Sequence, residues 1–218
     1  MSGRDNASTG EPRVSVILPT YDRPTIVPTA VESVVEQSFE DLELIIVDDH
    51  SHRPVEKLID DSLVEAVDHR IIRHDRNKGA NEARKTGIRA ATGKLLAFLD
   101  DDDVWKEDKL EKQVAVFERG DENLGVVYTG QEYVDEAGRT TYIHTPAVTG
   151  NVTRQMLQGE PVGNFSSIMV KSDILAKVGM PDSRLPSWQD RDWLLRLSQH
   201  CTFKPVREPL VIRRFIAA

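Results

Sequence analysis

The segment from Lys94 to Asp103 constrains the fold more than any other part of this chain. An uninterrupted apolar run, Leu95 to Leu99, is followed directly by four aspartates. Continuous apolar runs are typical of strands that are buried on both faces of a parallel sheet. Ligands of such sheets bind just beyond the carboxyl ends of the strands, and hard divalent cations prefer oxygen ligands. The segment therefore predicts a metal site at a sheet edge, with an acidic turn that caps the next helix as the alternative.

Charge and cysteine content narrow the class of protein and its partners. The 218 residues carry a formal net charge of −8, which argues against nucleic acid as a partner. Cys201 is the single cysteine, so an intramolecular disulfide and a cysteine metal cluster are excluded. We expect such a chain in a reducing compartment, the cytoplasm. No apolar run reaches the roughly 18 residues of a membrane span, and the polar residues 1–12 are expected to form a disordered tail.

Hydrophobic periodicity divides the chain into two segments with different patterns. Residues 13–123 alternate between predicted strands and helices, with strands at 13–18, 42–47, 70–73 and 94–99 and helices at 27–35, 55–67, 79–91 and 105–117. This alternation predicts an α/β fold with a mostly parallel sheet and helices on both faces. Residues 124–218 are expected to form a mixed lobe that shares the sheet, with strands at 126–134, 140–143, 165–170, 203–206 and 210–213 and helices at 152–157, 173–178 and 187–200.

The helix predicted at 79–91 has an unusual face. Ala80, Ala83, Gly87 and Ala91 share one side, and all of them are small. Small side chains let a helix backbone approach either a sheet or a ligand closely, and the sequence leaves both interpretations open.

Carboxylates recur after predicted strands and near one predicted helix. Asp48 and Asp49 follow the second strand, and Asp100 to Asp103 follow the fourth. Both groups lie at carboxyl ends of parallel strands, so we expect them on the same edge of the sheet. The alternative for Asp48 and Asp49 is helix capping ahead of Val55. A third group, Asp190 and Asp192, lies in the helix predicted at 187–200.

Two common phosphate-binding loops are absent from the sequence. The loop after the first strand, Pro19 to Asp22, contains no glycine, so the dinucleotide fingerprint is missing. The chain also has no Gly-x-x-x-x-Gly-Lys-Ser/Thr loop. If a nucleotide binds, a metal at the acidic run must neutralise its phosphates. Tyr21 offers a ring on which a base could stack, although a tyrosine in the core is the commoner case.

Taken together, these motifs resemble family 2 glycosyltransferases of the GT-A fold. The resemblance extends in order from about residue 13 to residue 214 and rests on six motifs, VSVILPTYD at 14–22, AVESVVEQSF at 30–39, LIIVDDHS at 44–51, NKG at 77–79 with the helix that follows it, FLDDDD at 98–103 and WQDRDWLLR at 188–196. It implies a single GT-A catalytic domain over residues 13–218, with a nucleotide-binding half at 13–123 and an acceptor-side half at 124–218.

The implied activity is inverting, metal-dependent transfer of a sugar from a nucleotide-sugar donor to a hydroxyl acceptor. The implied cofactor is Mn²⁺ or Mg²⁺. The acceptor would be a glycan or a lipid-linked sugar of cell-envelope biosynthesis. A UDP- or GDP-sugar is the expected donor, because a carboxylate that reads the base suits a ring N–H, which adenine lacks on its pairing edge.

The resemblance also assigns roles to individual residues. Nucleotide-binding positions of the family match Pro19, Thr20, Tyr21, Asp49, Arg84, Asp100 and Asp101. Within that set, Asp49 would accept a hydrogen bond from the base, and Asp100 would lie near the ribose. Asp102 falls on the ligand of the metal that holds the diphosphate. Asp190 falls on the catalytic base.

The sequence departs from the family pattern at two positions. The family's usual Glu-Asp pair is Gln189-Asp190 here, so the base keeps its position but loses an acidic neighbour. Some members carry a histidine near the metal after the last strand, and Arg213, Arg214 and Phe215 provide none. Many relatives continue into further domains or membrane helices, which would allow peripheral association with the cytoplasmic face of a membrane.

Three other classes of protein share part of this pattern. A nucleotidyltransferase would need a glycine-rich, basic loop after the first strand, and that loop is missing. A phospho-acceptor receiver module would explain Asp48 and Asp49 but not the run from Asp100 to Asp103. A binding module without catalysis fits poorly with the retention of Asp102 and Asp190. Release of nucleotide diphosphate from a panel of nucleotide sugars separates these classes.

Overall fold

A computed structural model describes residues 12–159 and 162–214. The tail predicted at 1–12 lies, except for Pro12, outside the described residues. Within the described ranges the chain forms nine strands, β1 (Val14–Thr20), β2 (Leu42–Asp48), β3 (Asp68–Arg73), β4 (Leu95–Phe98), β5 (Asp103–Trp105), β6 (Leu124–Val134), β7 (Thr140–His144), β8 (Ile168–Lys171) and β9 (Thr202–Arg214). The α-helices in these ranges are α1 (Val27–Val35), α2 (Asp61–Val64), α3 (Ala80–Ala90), α4 (Lys109–Glu118), α5 (Thr153–Leu157), α6 (Leu175–Val178) and α7 (Gln189–Ser198).

All of these strands belong to one sheet. Its order is β3-β2-β1-β4-β8-β6-β9-β5, and β7 pairs with β6 beside this path. The first four strands in this order are parallel, as the alternating pattern predicts. From β4 onward the sheet is mixed, because β8 runs antiparallel to both β4 and β6, whereas β9 runs parallel to β6. The second segment therefore extends the sheet of the first, which places the ends of β1, β2 and β4 near its centre.

Apolar side chains cover both faces of the sheet. On one face, Val16 of β1 lies in a core cluster with Val31 of α1 and Val114 of α4. On the other face, Ile17 of β1 lies in a cluster with Trp193 of α7. β1, β2 and β4 are buried along their whole length, and burial of a large aliphatic side chain contributes about 1.5–3 kcal/mol to stability. The continuous apolar strands of the sequence thus follow from burial on two sides.

The small residues of α3 allow both close contacts that the sequence left open, one with the sheet and one with a ligand. A β-carbon on Gly87 would overlap Cγ2 of Ile17, so the helix backbone packs directly on β1 at this point. Nearer the start of the helix, Ala80 and Ala83 line a cavity at the sheet edge. The helix is therefore close to the sheet at one end and open to a ligand at the other.

Two helix predictions in the first segment are wrong in extent. The helix predicted at 55–67 is a 3₁₀ turn, Val55–Lys57, followed by the short α2. Asp60 interrupts it by accepting hydrogen bonds from both the backbone N–H and the hydroxyl of Ser62. The helix predicted at 105–117 begins only at α4, because Trp105 pairs with Val211 in the sheet.

Two strand predictions in the second segment also change. The strand predicted at 165–170 starts with a 3₁₀ turn, Phe165–Ser167, which Asn164 caps by accepting a hydrogen bond from the Ser167 N–H. The strands predicted at 203–206 and 210–213 form one strand, β9, although it contains two prolines. Register shifts between β6 and β9 near Gly130 accommodate this irregular stretch.

The contact between Gly87 and Ile17 makes a prediction that opposes helix propensity. Alanine normally stabilises a helix interior relative to glycine. Here we expect Gly87→Ala to lower the free energy of unfolding by about 1–3 kcal/mol, because the added methyl group overpacks the helix against β1. Urea unfolding measures the change. The control is Arg89→Ala on the exposed side of the same helix, which should change stability by less than about 0.5 kcal/mol. A stabilised Gly87→Ala protein would contradict this packing.

Candidate active site

The predicted nucleotide and metal positions come together at one cavity. It has a volume of about 400 Å³ and lies beyond the carboxyl ends of β1, β2 and β4. Among its lining residues are all of the sequence-predicted ones except Asp190: Pro19, Thr20, Tyr21, Asp49, Arg84, Asp100, Asp101 and Asp102. We call this space the edge cavity. Its position follows from the topology, because parallel strands bring their carboxyl ends to the same side of the sheet.

Asp48, the last residue of β2, has a structural role. Its carboxylate is buried and accepts hydrogen bonds from the N–H groups of Ser51 and Val55, and it pairs with Arg73. Burial raises the pKa of Asp48, but these hydrogen bonds outweigh it and leave the pKa below its ordinary value. Asp48 therefore organises the turn ahead of Val55, although the 3₁₀ turn that begins at Val55 has no side-chain cap at Pro54.

Asp49 fixes the loop that leads into α3. One carboxylate oxygen accepts the N–H of Lys78 at 2.8 Å and contacts Nδ1 of His74 at 2.7 Å. The other oxygen accepts the N–H of Gly79 at 2.7 Å. Gly79 has a φ of +89°, a conformation that costs glycine little, and it precedes the first residue of α3. A buried carboxylate needs donors of this kind, so Asp49 sets where α3 begins.

Arg84 extends from α3 to the wall of the edge cavity. Its guanidinium pairs with the Asp100 carboxylate and donates to the Asn81 side chain at 3.0 Å. It also lies over the Phe165 ring, 3.9 Å from the ring centroid. Arg84 is buried, so its side chain is held by a carboxylate, an amide and an aromatic face at once. This arrangement orients Asp100 at the end of β4.

Asp101 is joined to the loop after β1. Its carboxylate accepts the Thr20 hydroxyl at 2.7 Å. Burial is the main cause that raises the pKa of Asp101 to about 6, and the charges of Asp102 and Asp100 add to it, while Thr20 opposes the rise. Thr20 and Asp101 therefore hold two walls of the edge cavity together.

Asp103, the first residue of β5, contacts a residue that the sequence did not single out as functional. Its carboxylate is buried, and one oxygen accepts Nε of Arg213 at 3.3 Å. Burial and the nearby charge of Asp100 raise the pKa of Asp103 to about 7. Arg213, from the end of β9, lines the edge cavity. It belongs to the segment in which this sequence lacks the histidine that some members of the resembled family carry near the metal. No local signal marks it, because the pairing of β5 with β9 brings it to the site.

Asp102 differs from its three neighbours in the acidic run. Asp100, Asp101 and Asp103 each contact a protein group, whereas Asp102 makes no hydrogen bond or ion pair with any of the described residues. It is partly exposed in the edge cavity. No three carboxylate, imidazole or thiolate groups within the described ranges converge into a preformed cation cage. One free carboxylate beside a cavity fits a cation that completes its coordination with phosphate oxygens and water.

Asp190 lies outside the edge cavity but is connected to it. A bridging cavity of about 230 Å³ shares Arg84 and Asp100 with the edge cavity and has Asp190 at its other end. Asp190 also lines a flank cavity of about 360 Å³ on the far side, together with Trp188 and Arg191. Asp190 therefore lies between two spaces, one of which opens toward the edge cavity.

The stretch Ser187-Trp188-Gln189-Asp190 has the sequence pattern of a capping box, with Asp190 at the third helical position, but the start of α7 differs from it. Trp188, and not Ser187, is the residue before the helix, and it makes no side-chain cap. Asp190 is at the second helical position, where its carboxylate accepts the N–H of Arg191 at 2.8 Å. Trp193 and Leu194 of α7 are buried in the core cluster that also contains Ile17 of β1. Asp192 pairs with Arg196 away from the cavities that Asp190 lines.

Comparison with known proteins defines the class. The family model of glycosyl transferase family 2 matches residues 15–177. An uncharacterized glycosyltransferase of Haemophilus influenzae is 34% identical over 207 residues, which are 93% of this chain and 68% of that protein. The chain belongs to glycosyl transferase family 2.

Further relatives agree with this assignment. TuaG of Bacillus subtilis, a glycosyltransferase named for teichuronic acid biosynthesis, is 31% identical over 212 residues, covering 94% of this chain and 80% of TuaG. The structure of residues 1–349 of S. aureus TarS in complex with UDP superposes with a TM-score of 0.78 at 17% identity, covering 93% of this chain and 60% of that one. At that identity the superposition shows the GT-A fold and not the substrate.

Several relatives are much longer than the part that this chain matches. The match spans 24% of a glycosyltransferase of Rickettsia felis. Within residues 12–159 and 162–214, no helix has the length and apolar character needed to cross a bilayer.

The buried Asp103 predicts an unusual dependence of stability on pH. Its pKa in the folded protein, about 7, is above its ordinary value of 3.8, so its contribution is complete below pH 3.8 and is lost as pH rises through 7. We expect Asp103→Asn to gain stability relative to the wild type as pH rises from about 4 to 7, with a limiting slope of about 1.4 kcal/mol per pH unit, and the difference to level off above pH 7. Chelator-treated proteins unfolded in urea across this range provide the measurement. Wild-type and variant curves that stay parallel would show that Asp103 is not destabilised by ionisation.

Proposed function

We propose that this domain catalyses inverting, metal-dependent transfer of a sugar from a nucleotide-sugar donor to a hydroxyl group of an acceptor. Family membership supports glycosyl transfer. The observation that carries the finer proposal is the connected series of cavities. The edge cavity has a free carboxylate and cationic side chains, and the bridging cavity leads from it to Asp190. This order suits a nucleotide, its sugar and an acceptor-side base, in that sequence.

The donor nucleotide is proposed to bind in the edge cavity. Tyr21 is exposed at its rim and offers a ring face to the base. The Asp49 oxygen that accepts the Gly79 N–H has a second lone pair with which it could accept a ring N–H of uracil or guanine. Solved structures of S. aureus TarS are complexes with UDP and with UDP-GlcNAc, which favours a UDP-sugar here. Thr20, Asp100 and Asp101 complete the proposed nucleoside side of the cavity.

Positive charge for the donor diphosphate is proposed to come from a cation and from arginines. Asp102 would hold Mn²⁺ or Mg²⁺ together with the phosphate oxygens, since its carboxylate has no protein partner among the described residues. When bound, the cation would offset the charge that develops on the leaving diphosphate. Arg23 and Arg213 line the same cavity and add two guanidinium groups to this task.

Asp190 is proposed to act as the general base. It would accept the proton of an acceptor hydroxyl as the oxygen attacks the anomeric carbon from the side opposite to the diphosphate. The carboxylate needs no covalent intermediate for this, and its position between the bridging and flank cavities suits it. Gln189 next to it donates to the Leu185 carbonyl at 2.7 Å and so supports the turn, although it lacks the acidic character of the family's usual neighbour.

The acceptor is proposed to be a glycan or a lipid-linked sugar of the cell envelope, handled in the cytoplasm or at its membrane face. Two relatives support this class by their names. TuaG is named for teichuronic acid biosynthesis, and WfgD of Escherichia coli, 32% identical over 124 residues, is named as a glucosyltransferase that acts on a diphosphoundecaprenol-linked sugar. The match to WfgD covers 56% of this chain and 47% of that protein.

The function is tested with a panel of UDP- and GDP-sugars in the presence of Mn²⁺, Mg²⁺ or chelator. We expect one donor to release nucleotide diphosphate with a divalent cation and not with chelator. Asp102→Asn should lower this rate by at least about 100-fold, because a cation supplies several kcal/mol of charge stabilisation. Asp173→Asn, an exposed carboxylate away from the cavity, is the control. Full activity in chelator would refute the metal requirement.

Asp190→Asn tests the base separately from donor binding. We expect turnover to fall by about 10²–10⁴-fold, which is the usual value of general-base assistance, while affinity for the nucleotide diphosphate stays the same. Asp192→Asn is the matched control, because it lies on the same helix and pairs with Arg196 instead. Calorimetry and initial rates give the two quantities. Near-normal turnover together with a lower melting temperature would instead assign Asp190 to the stability of α7.

A further inference from the structure

Trp188 has two properties that packing does not explain. Its side chain is 67% exposed, which is unusual for the largest apolar side chain. Its backbone has φ 60° and ψ 28°, the left-handed conformation that residues other than glycine, asparagine and aspartate rarely adopt. Strained residues of this kind concentrate at binding and catalytic sites, where the surrounding structure holds them in place.

The surroundings of Trp188 form a half-polar, half-apolar pocket. Trp188 and Asp190 line both the bridging cavity and the flank cavity. The flank cavity adds the apolar side chains of Met156 and Leu194. Arg191 lies over the indole, 4.9 Å from the ring centroid, and donates to the Met156 carbonyl at 2.8 Å. An aromatic face, a carboxylate and a guanidinium thus converge on one space of about 360 Å³.

We propose that the flank cavity binds a pyranoside as the acceptor, with its sugar ring stacked on Trp188. The C–H groups on one face of a pyranose carry partial positive charge, and the face of an indole is negative. Arg191 covers one face of the indole, so the sugar ring would stack on the opposite face, with its edge hydroxyls within reach of the Asp190 carboxylate. A purely apolar ligand would offer no hydrogen-bond donor to the Asp190 carboxylate at the edge of this space. A ring of this kind places one hydroxyl beside Asp190.

This subsite depends on the proposed glycosyl transfer, because a pyranoside acts there only as the partner of Asp190. It adds a place for the acceptor ring and a binding residue, Trp188, that the proposed function does not include. The exposed tryptophan also gives a direct signal. The sequence has three tryptophans, and Trp105 and Trp193 are both buried with their indole N–H groups donating to backbone carbonyls. Exposed indole fluorescence therefore reports Trp188.

The experiment uses methyl pyranosides of glucose, galactose, mannose and N-acetylglucosamine as probes. Sorbitol, which has similar hydroxyl groups but no ring, is the control ligand. We expect at least one pyranoside to change the tryptophan emission saturably, and sorbitol not to do so. Ligand-observed NMR then follows the same probe on variants that lack the indole, and initial rates give its KM as acceptor.

Trp188→Ala should weaken binding of that pyranoside, and raise its KM, by about tenfold, with Trp188→Phe closer to the wild type. Affinity for the nucleotide diphosphate should not change, because Trp188 does not line the edge cavity. Tyr142→Ala, which removes another exposed aromatic ring, is the matched control and should behave as the wild type.

Two results would overturn the subsite. One is a Trp188→Ala protein that binds the pyranoside as the wild type does. The other is a panel in which no pyranoside perturbs the emission or in which sorbitol does so equally. Failure of the proposed function has a different signature, since no nucleotide sugar would then release nucleotide diphosphate from the wild-type protein under any metal condition.

Discussion

The buried carboxylate of Asp49 is the interaction on which the rest of the site depends. A carboxylate at the end of a strand that is covered on both faces needs donors, and Asp49 takes them from the loop before α3. That anchors the start of the helix, whose first turns place Arg84 beside Asp100 at the end of β4. Close packing of Gly87 on β1 fixes the other end of the same helix. The geometry of the edge cavity thus depends on the hydrogen bonds that the buried Asp49 carboxylate needs and on the absence of a side chain at Gly87.

The acidic run shows how a fold can tolerate four adjacent carboxylates. Arg84 pairs with Asp100, the Thr20 hydroxyl donates to Asp101, and Arg213 donates to Asp103. These partners come from α3, β1 and β9, so the run is where distant parts of the chain meet. The remaining carboxylate has no protein partner among the described residues and faces the cavity. Its lack of a partner is the observation behind the proposal of a cation at this position.

The sequence predicted the first half of the fold and most of the residues that line the edge cavity, because the signals there are local. Buried parallel strands appear as continuous apolar runs, and the carboxylates that follow them lie at one edge by topology alone. Arg213 could not be predicted in this way, since only the pairing of β5 with β9 brings it to the edge cavity. Trp188 was missed because neither its exposure nor its left-handed backbone has a sequence signal. Asp48 and Asp49 are equivalent in the sequence pattern, and only the structure distinguishes them. Asp48 accepts hydrogen bonds within the turn that follows β2, whereas Asp49 accepts them from the loop before α3 and lines the edge cavity.

The central proposal is a nucleotide diphosphate in the edge cavity with its cation on Asp102. A crystal structure with UDP and Mn²⁺, recorded at a wavelength where manganese scatters anomalously, tests it most directly. We expect one anomalous peak that joins the Asp102 carboxylate to the diphosphate, with the uracil between Tyr21 and Asp49. A manganese ion coordinated by Asp100 or Asp103 without Asp102, or a nucleotide bound outside the edge cavity, would contradict the proposal.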